Sequence, residues 1–181
     1  MASGDDNGIF WVWDARTGQL AARCKIGGPY NTYLRVMFAP DGKRVATGRG
    51  MNLSCWDFAL LKHAHSGSHR VGDISDPIFE FTGPTVRFFF LAPSLKLIIF
   101  LLEKGYILAI CFSSDNRWIV SSTRSSYDNV RILDARSGNW VCTLKGHVTD
   151  VWTVDFSPVG HYIVSGSADG LIRLWRYETL G

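Results

Sequence analysis

Residues 146–175 read GHVTDVWTVDFSPVGHYIVSGSADGLIRLW, and this stretch decides the fold. A first run of alternating residues ends at Phe156, and a turn containing Pro158 and Gly160 follows. A second apolar run leads into small residues, and a third places Arg173 between apolar neighbours. Alternation with a period of two is typical of half-buried strands, so the stretch predicts three antiparallel strands joined by tight turns.

The same pattern recurs elsewhere in the chain. Residues 38–48 (FAPDGKRVATG) and 112–122 (FSSDNRWIVSS) match residues 156–166 (FSPVGHYIVSG). An anchor residue closes a strand after each copy, at Trp56, Leu133 and Trp175, and Trp13 closes another near the N-terminus. Trp13 and Trp56 lie about 43 positions apart, and the pentapeptide DARTG at 14–18 returns as DARSG at 134–138. A period in the low forties with a terminal Trp-Asp predicts four-stranded propeller blades.

On these motifs the chain resembles the WD-repeat β-propeller family. Within it, three stretches resemble the C-terminal blades of fungal Tup-type general transcriptional co-repressors: residues 33–42 (YLRVMFAPDG), 116–121 (NRWIVS) and 173–178 (RLWRYE). The resemblance implies an all-β fold and a nuclear or cytoplasmic protein-interaction scaffold. It also implies recruitment by DNA-bound regulators and contact with co-repressor subunits and histone tails.

Four polar or aromatic side chains of the last repeat form the candidate site: His147, Ser165, Asp169 and Trp175. The first three could be a hydrolase triad, but no Gly-x-Ser-x-Gly elbow exposes the serine. The resemblance gives the four residues a structural role as a buried hydrogen-bond network. We therefore assign no catalytic residues and predict that the protein is not an enzyme.

The other repeats keep only parts of this set. At the position of Asp169 they carry Asn7, Gly50 and Tyr127, and two of them carry Pro29 and Glu103 at the position of His147. The sequence therefore predicts one complete network, in the last blade, and looser blades elsewhere.

Residues 58–105 break the pattern, as a degenerate blade or an irregular insertion. They include a polar segment with His63, His65 and His69, which has no acid or Cys at a recognised metal-ligand spacing, so no metal is predicted. They also include the apolar run 88–102, which is shorter than the about 20 residues of a membrane span and contains Pro93 and Lys96. Buried strands broken at Pro93 are the favoured interpretation, with a membrane segment or a decayed blade as alternatives.

The chain accordingly divides into residues 1–57 (two repeat units, the first partial), 58–105, and 106–181 (the last two units). About four units are expected, one of them degenerate. Closed propellers have four to eight blades and the family norm is seven, so we expect an incomplete or truncated propeller. An open arc would expose strand edges and apolar blade faces, which favours association.

Composition narrows the function class. With 181 residues, 46% hydrophobic and 19% charged, the chain suits one folded domain rather than a disordered one. A net charge of +3 is too small for a dedicated nucleic-acid binder. The four cysteines form no Cys-x-x-Cys pair, which argues against a zinc site and a disulfide framework. No secretory leader and no cofactor motif is recognised, so neither secretion nor a cofactor is expected.

The function expected from these observations is a non-catalytic protein–protein interaction scaffold. Asp150 and Trp152 are the candidate partner-binding residues, because loops at one face of the blades and exposed aromatic side chains commonly make such contacts. The alternative for Trp152 is a core position at the start of an inner strand. The alternatives for the whole chain are a non-functional propeller remnant and a hydrolase that uses His147, Ser165 and Asp169.

Overall fold

The computed structural model describes residues 1–26, 34–59, 79–82, 105–125, 129–159 and 161–177. These residues form fourteen strands. The strands are β1 (Ala2–Gly4), β2 (Ile9–Trp13), β3 (Leu20–Lys25), β4 (Leu34–Phe38), β5 (Arg44–Arg49), β6 (Asn52–Asp57), β7 (Phe79–Thr82), β8 (Ile107–Phe112), β9 (Trp118–Thr123), β10 (Val130–Asp134), β11 (Trp140–Leu144), β12 (Val151–Phe156), β13 (Tyr162–Ser167) and β14 (Ile172–Arg176).

Consecutive strands pair in antiparallel fashion into four sheets. Sheet 1 contains β1 to β3, sheet 2 contains β4 to β7, sheet 3 contains β8 to β11, and sheet 4 contains β12 to β14. The four anchors Trp13, Trp56, Leu133 and Trp175 each lie on a different sheet. The predicted all-β fold built from about four blade units is therefore confirmed.

Part of the irregular segment 58–105 is described. Its strand β7 pairs with β6 and completes sheet 2 as the fourth strand. The three histidines at 63, 65 and 69 and the apolar run 88–102 lie outside the described residues. Over the ranges that the structure describes, there is no helix with the length and apolarity needed to cross a bilayer.

An Asp residue that follows the anchor shapes the turn to the next strand, from β2 to β3 in sheet 1 and from β10 to β11 in sheet 3. Oδ1 of Asp14 accepts hydrogen bonds from the backbone amides of Arg16 and Thr17, at 2.8 and 3.2 Å. Asp134 makes the same pair of bonds with residues 136 and 137. Each turn ends at a glycine with φ near +70°, a conformation that is cheap only without a Cβ atom. These contacts explain the repeated DAR(T/S)G pentapeptide.

The apolar core lies between neighbouring sheets, in three separate layers. Phe10 and Val12 of sheet 1 pack against Val45 and Trp56 of sheet 2. The opposite side of sheet 2 packs on sheet 3, and the opposite side of sheet 3 packs on sheet 4. Because residues alternate between the two faces of a strand, adjacent residues of one strand serve different layers. In β6, for example, Trp56 faces sheet 1 and Cys55 faces sheet 3.

Small residues permit this close stacking. A Cβ atom on Gly48 of sheet 2 would lie 2.7 Å from Cγ2 of Ile107, the first residue of sheet 3. A Cβ atom on Gly4 of sheet 1 would likewise lie 2.9 Å from the side chain of Leu34, the first residue of sheet 2. The first residues of β4 and β8 thus each lie directly over a glycine of the preceding sheet.

A partly buried cationic side chain also joins sheets 2 and 3. The Arg44 guanidinium donates to the carbonyl oxygen of Asn116 at 2.8 Å and to that of Ala135. Asn116 has φ +61°, the left-handed region that Asn tolerates better than most residues, and its Oδ1 accepts from the backbone amide of Asp41. The turn of sheet 2 that contains Asp41 and the turn of sheet 3 that contains Asn116 are therefore held together by direct hydrogen bonds.

Candidate functional site

The four candidate site residues of the last repeat lie together in sheet 4. Nδ1 of His147 is 2.8 Å from Oδ2 of Asp169, and Nε2 of His147 is 2.8 Å from Oγ of Ser165. Nε1 of Trp175 donates to the same Ser165 oxygen, also at 2.8 Å. Strand β13 provides Ser165, the following turn provides Asp169, and β14 provides Trp175.

The distances fit one arrangement of protons in which every donor has an acceptor. The Trp175 N–H donates to Ser165, the Ser165 hydroxyl donates to Nε2 of a neutral His147, and Nδ1–H of His147 donates to the Asp169 carboxylate. In this arrangement the Ser165 hydroxyl accepts from Trp175 and donates to His147, so its hydrogen atom and its oxygen both have partners.

The pKa of Asp169 reflects this environment. Burial alone would raise it, but hydrogen bonds from His147 and from the backbone amides of Leu171 and Val148 outweigh burial and hold the pKa at about 2. Asp169 is therefore ionised at neutral pH. Its Oδ1 also accepts from Leu171 at 3.0 Å, which closes the turn between β13 and β14.

The network is enclosed within the sheet. Ser165 is fully buried, and the His147 side chain is 1% exposed. A serine nucleophile must reach the carbonyl carbon of its substrate. In this arrangement a substrate has no access to the Ser165 hydroxyl, and one of the hydroxyl's partners is the Trp175 indole.

The sequence comparison of the repeats overlooked a shared indole–hydroxyl pair. In sheet 2, Nε1 of Trp56 donates to Oγ1 of Thr47 at 2.9 Å, and in sheet 1 Nε1 of Trp13 donates to Oγ of Ser3 at 3.2 Å. The hydroxyl lies nine or ten residues before each tryptophan, as Ser165 does before Trp175. A search for Ser or Thr at this spacing would have found the pairs. Sheet 3 has Leu133 at the anchor position.

The turn carboxylate also persists in sheet 1, at a shifted position. Oδ1 of Asp5 accepts from the backbone amide of Ile9 at 2.8 Å, as Asp169 does from Leu171. The match by residue count had pointed to Asn7. In sheet 2 the corresponding turn has Gly50 with φ +58°, and Arg49 beside it donates to the carbonyl oxygens of Ile26 and Asp6.

A second cluster lies at the end of the sheets where the 168–170 turn is found, which we call the upper face. Trp152 is 54% exposed there, so it is not a core residue. It occupies the irregular position between Val151 and Thr153, where the pairing of β12 with β13 shifts register. Because of this shift, the indole is not part of the apolar layer between sheets 3 and 4. The core alternative for Trp152 is thus wrong.

Asp150 lies beside Trp152 and is held in place from two sides. Its carbonyl oxygen accepts from the amide of Ala168 at 2.9 Å, and its carboxylate pairs with Arg124 at 3.3 Å. Arg124 in turn donates its backbone N–H to Tyr106, which is exposed. Val148 is exposed at the same end of sheet 4. We call Tyr106, Arg124, Val148, Asp150 and Trp152 the upper-face patch.

The chemistry that the described residues could support is limited. Among them, no three His, Cys, Asp or Glu side chains are grouped so that they could hold a metal ion. Burial raises the pKa of the Cys24 and Cys55 thiols to about 11 and that of Cys111 to about 12. In Cys111 a hydrogen bond to Asp155, 2.9 Å away in sheet 4, adds to the effect of burial. These thiols are protonated at neutral pH and therefore poor nucleophiles.

Comparison with known proteins agrees with the fold. The WD40 family (WD domain, G-beta repeat) matches residues 97–132 and 138–176. The chain is similar to THO complex subunit 3 of Arabidopsis thaliana, with 26% identity over 96% of the chain and 42% of that protein. It is also similar to the guanine nucleotide-binding protein subunit beta of the same plant, with 27% identity over 99% of the chain and 53% of that protein.

The match to transcriptional repressor rco-1 of Neurospora crassa is shorter, with 28% identity over 43% of the chain and 13% of that protein. The chain spans about half the length, or less, of these relatives. The family match covers sheet 4 and most of sheet 3, and sheets 1 and 2 repeat the same strand order and anchor positions. The chain therefore carries WD40 repeats, and its all-β fold is that of a WD-repeat β-propeller protein.

Proposed function

We propose that this protein is a non-catalytic scaffold that binds other proteins through the upper-face patch. The observation that carries the proposal is the exposed indole of Trp152, two residues along the chain from Asp150, which forms an ion pair with Arg124. Exposed Trp, Tyr and Arg side chains are the residue types that contribute most to protein–protein binding. WD-repeat proteins typically act as interaction scaffolds, which supports the same function.

The partner we propose is a peptide or loop with an apolar side chain and an adjacent charge. The apolar group would pack on Trp152 and Val148, and the charge would pair with Arg124 or Asp150. The Arg124 and Asp150 side chains are both partly exposed to water. An ion pair between either of them and the partner would therefore add more to selectivity than to affinity.

A hydrolase is the rival interpretation, and the burial of Ser165 argues against it. The four residues of the network are better explained as structure, since each polar group satisfies its neighbour. If the protein hydrolysed esters through this serine, a Ser165→Ala variant would lose that activity while it remained folded. We expect no esterase activity in the wild type and no difference between the two proteins.

A finer proposal is transcriptional co-repression, with co-repressor subunits and histone tails as partners and a nuclear or cytoplasmic location. It is supported by the motif resemblance to Tup-type co-repressors and by the match to rco-1, whose description names it a transcriptional repressor. The chain is also similar to THO complex subunit 3 and to a guanine nucleotide-binding protein subunit beta, and neither of these is named as a repressor. Histone-tail peptides are therefore one class of probe among several.

The test is binding of labelled peptides, including histone tails, to the wild type and to a Trp152→Ala variant. Removing a central aromatic anchor costs about 2 kcal/mol or more, so we expect affinity to fall at least about thirtyfold. Val159→Ala is the control, because Val159 is an exposed apolar residue of the turn between β12 and β13, outside the patch. Equal binding by the wild type and Trp152→Ala would overturn the proposal.

A further inference from the structure

Sheet 4 has one face that no described sheet covers. Ile172 is 81% exposed and Leu174 is 67% exposed, and Val164 and Tyr162 on the neighbouring strand are exposed as well. The register pairs Val164 with Leu174 and Gly166 with Ile172, so these side chains form one continuous apolar surface. We call Tyr162, Val164, Ile172 and Leu174 the free face of sheet 4.

The repeat identifies what kind of surface this is. The strand registers align Val164, Ile172 and Leu174 with one set of three positions in each preceding four-stranded sheet. All six of those residues are fully buried under the next sheet: Ala46, Leu53 and Cys55 in sheet 2, and Val120, Val130 and Ile132 in sheet 3. The free face is therefore a sheet-stacking surface that no described sheet covers.

The surface that such a face contacts is also known from the repeat. Each buried face packs on the side of the next sheet that carries the anchor, as Ile132 of sheet 3 lies in one layer with Trp175 of sheet 4. In sheet 1 this anchor side is open: Trp13 is 37% exposed, whereas its counterpart Trp56 is 5% exposed. Arg23 and Lys25 of β3 line the same side. Within the part of the chain that the structure describes, there is thus one uncovered surface of each complementary type.

We propose that a second copy of this chain docks the anchor side of its sheet 1 on the free face of sheet 4. The contact continues the stacking that already joins sheets 1 to 2, 2 to 3 and 3 to 4. It is heterologous, because two different surfaces meet, so it must either close into a ring or extend into a filament. Closure with two copies would place eight sheets in one ring, within the four to eight blades that propellers contain.

The first test is the mass in solution of the purified chain over a range of concentrations, by light scattering and sedimentation. We expect a species of twice the 20.2 kDa chain mass. A double variant, Ile172→Arg with Leu174→Arg, places two cations on the free face opposite Arg23 and Lys25, and we expect it to be monomeric. Both positions are highly exposed, so the monomer should fold, which circular dichroism would verify. Val159→Arg is the control and should remain dimeric.

The second test distinguishes this contact from a symmetric one between two free faces. A Trp13→Arg variant blocks the anchor side and leaves the free face intact. Alone, each blocked variant should be monomeric, and an equimolar mixture should form a one-to-one heterodimer through the two intact surfaces. No complex in the mixture would overturn the proposal, and so would a wild type that stays monomeric at every concentration.

Hydrogen exchange of the wild type also distinguishes the proposed contact from a symmetric one. It needs no substitution at Trp13, whose indole donates a hydrogen bond to Ser3. On raising the concentration, we expect slower exchange in residues 162–176 and in residues 9–25 together. Slower exchange in 162–176 alone would show a symmetric contact and overturn the proposal. None of these readouts depends on the upper-face patch, so peptide binding by a Trp152→Ala variant tests the proposed function separately.

Discussion

The Ser165 hydroxyl shows how single residues set the structure of sheet 4. It is fully buried between two strands, yet it accepts from Trp175 and meets His147 at 2.8 Å. A buried hydroxyl without partners costs free energy, whereas a chain of satisfied groups is rigid and specific. The two outer members, Trp175 and Asp169, lie on different elements, so the network fixes the turn relative to β14.

Our first prediction concerns coupling within this network. Trp175→Phe removes one donor and should cost about 1–3 kcal/mol of unfolding free energy, and His147→Ala should cost at least as much because it leaves the Asp169 carboxylate without its main donor. Because both residues contact Ser165, the double variant should deviate from additivity by more than about 0.5 kcal/mol. Denaturant unfolding of the two single variants and the double variant measures this coupling.

Trp56→Phe supplies the matched control. It breaks the same indole–hydroxyl bond in sheet 2, where the hydroxyl partner is Thr47. Combined with His147→Ala it should be additive, since the two sites share no partner. Additivity in both pairs would contradict the network as a coupled unit.

The second prediction concerns acid stability. The folded pKa of Asp169 is about 2, below the ordinary value of 3.8 for an Asp side chain. A carboxyl with a lowered folded pKa contributes stability above its unfolded pKa and loses it as the pH falls through its folded pKa. The wild type should therefore lose this contribution between about pH 4 and pH 2.

An Asp169→Asn variant isolates that contribution. It should be less stable than the wild type at pH 7, and its unfolding free energy should change less between pH 4 and pH 2. Urea unfolding of both proteins at several pH values measures the difference. Parallel curves for the two proteins would show that Asp169 does not provide the acid dependence.

At the scale of elements, the fold depends on how closely two sheets approach. Gly48 and Gly166 occupy equivalent places on the second strands of sheets 2 and 4, but their surroundings differ. A Cβ atom on Gly48 would meet Ile107 of the next sheet at 2.7 Å, which requires the sheets to separate. At Gly166 the one neighbour is Thr153 of its own sheet, at 3.1 Å.

The third prediction follows from this difference. Gly48→Ala should destabilise the protein by about 1–3 kcal/mol, the usual cost of overpacking a core. Gly166→Ala should cost less, because only a threonine methyl must shift. The midpoints of thermal unfolding of the two variants provide the comparison. An equal loss in both would mean that the strand itself, rather than stacking on the next sheet, requires glycine.

At the scale of the whole molecule, stability comes from layers between neighbouring sheets. Each of the three apolar clusters joins two consecutive sheets, so an inner sheet is stabilised from both sides. Among the described residues, sheet 4 has one such layer, shared with sheet 3. Side chains at equivalent positions of the repeat therefore contribute different amounts to the free energy of unfolding, depending on the sheet to which they belong.

The fourth prediction compares two such positions. Ile132 of sheet 3 and Leu174 of sheet 4 are equivalent in register, but Ile132 is fully buried and Leu174 is exposed. Ile132→Ala should cost about 2–5 kcal/mol of unfolding free energy. Leu174→Ala should cost less than about 0.5 kcal/mol when measured at high dilution, where the chain is monomeric. A large loss for Leu174→Ala under those conditions would show that another part of the chain covers the free face.

Much of the fold was determined by the sequence alone. The period in the low forties, the alternation in residues 171–175 and the repeated DAR(T/S)G turn are local patterns, because strands and turns depend on nearby residues. The grouping of His147, Ser165, Asp169 and Trp175, which all lie within one repeat, was implied by the resemblance to WD repeats. Asp5 was missed because it occupies the turn position of Ser167 rather than that of Asp169, although its carboxylate accepts from the equivalent backbone amide.

The exposure of particular residues was decided only by the tertiary structure. Trp152 and Val154 belong to the same strand pattern, yet a register shift in β12 places the tryptophan on the surface. Leu174 and Ile132 likewise have equivalent local sequences, and only the presence of a neighbouring sheet buries one of them. Burial depends on contacts between residues far apart in the chain, and a local pattern contains no information about which neighbour is present.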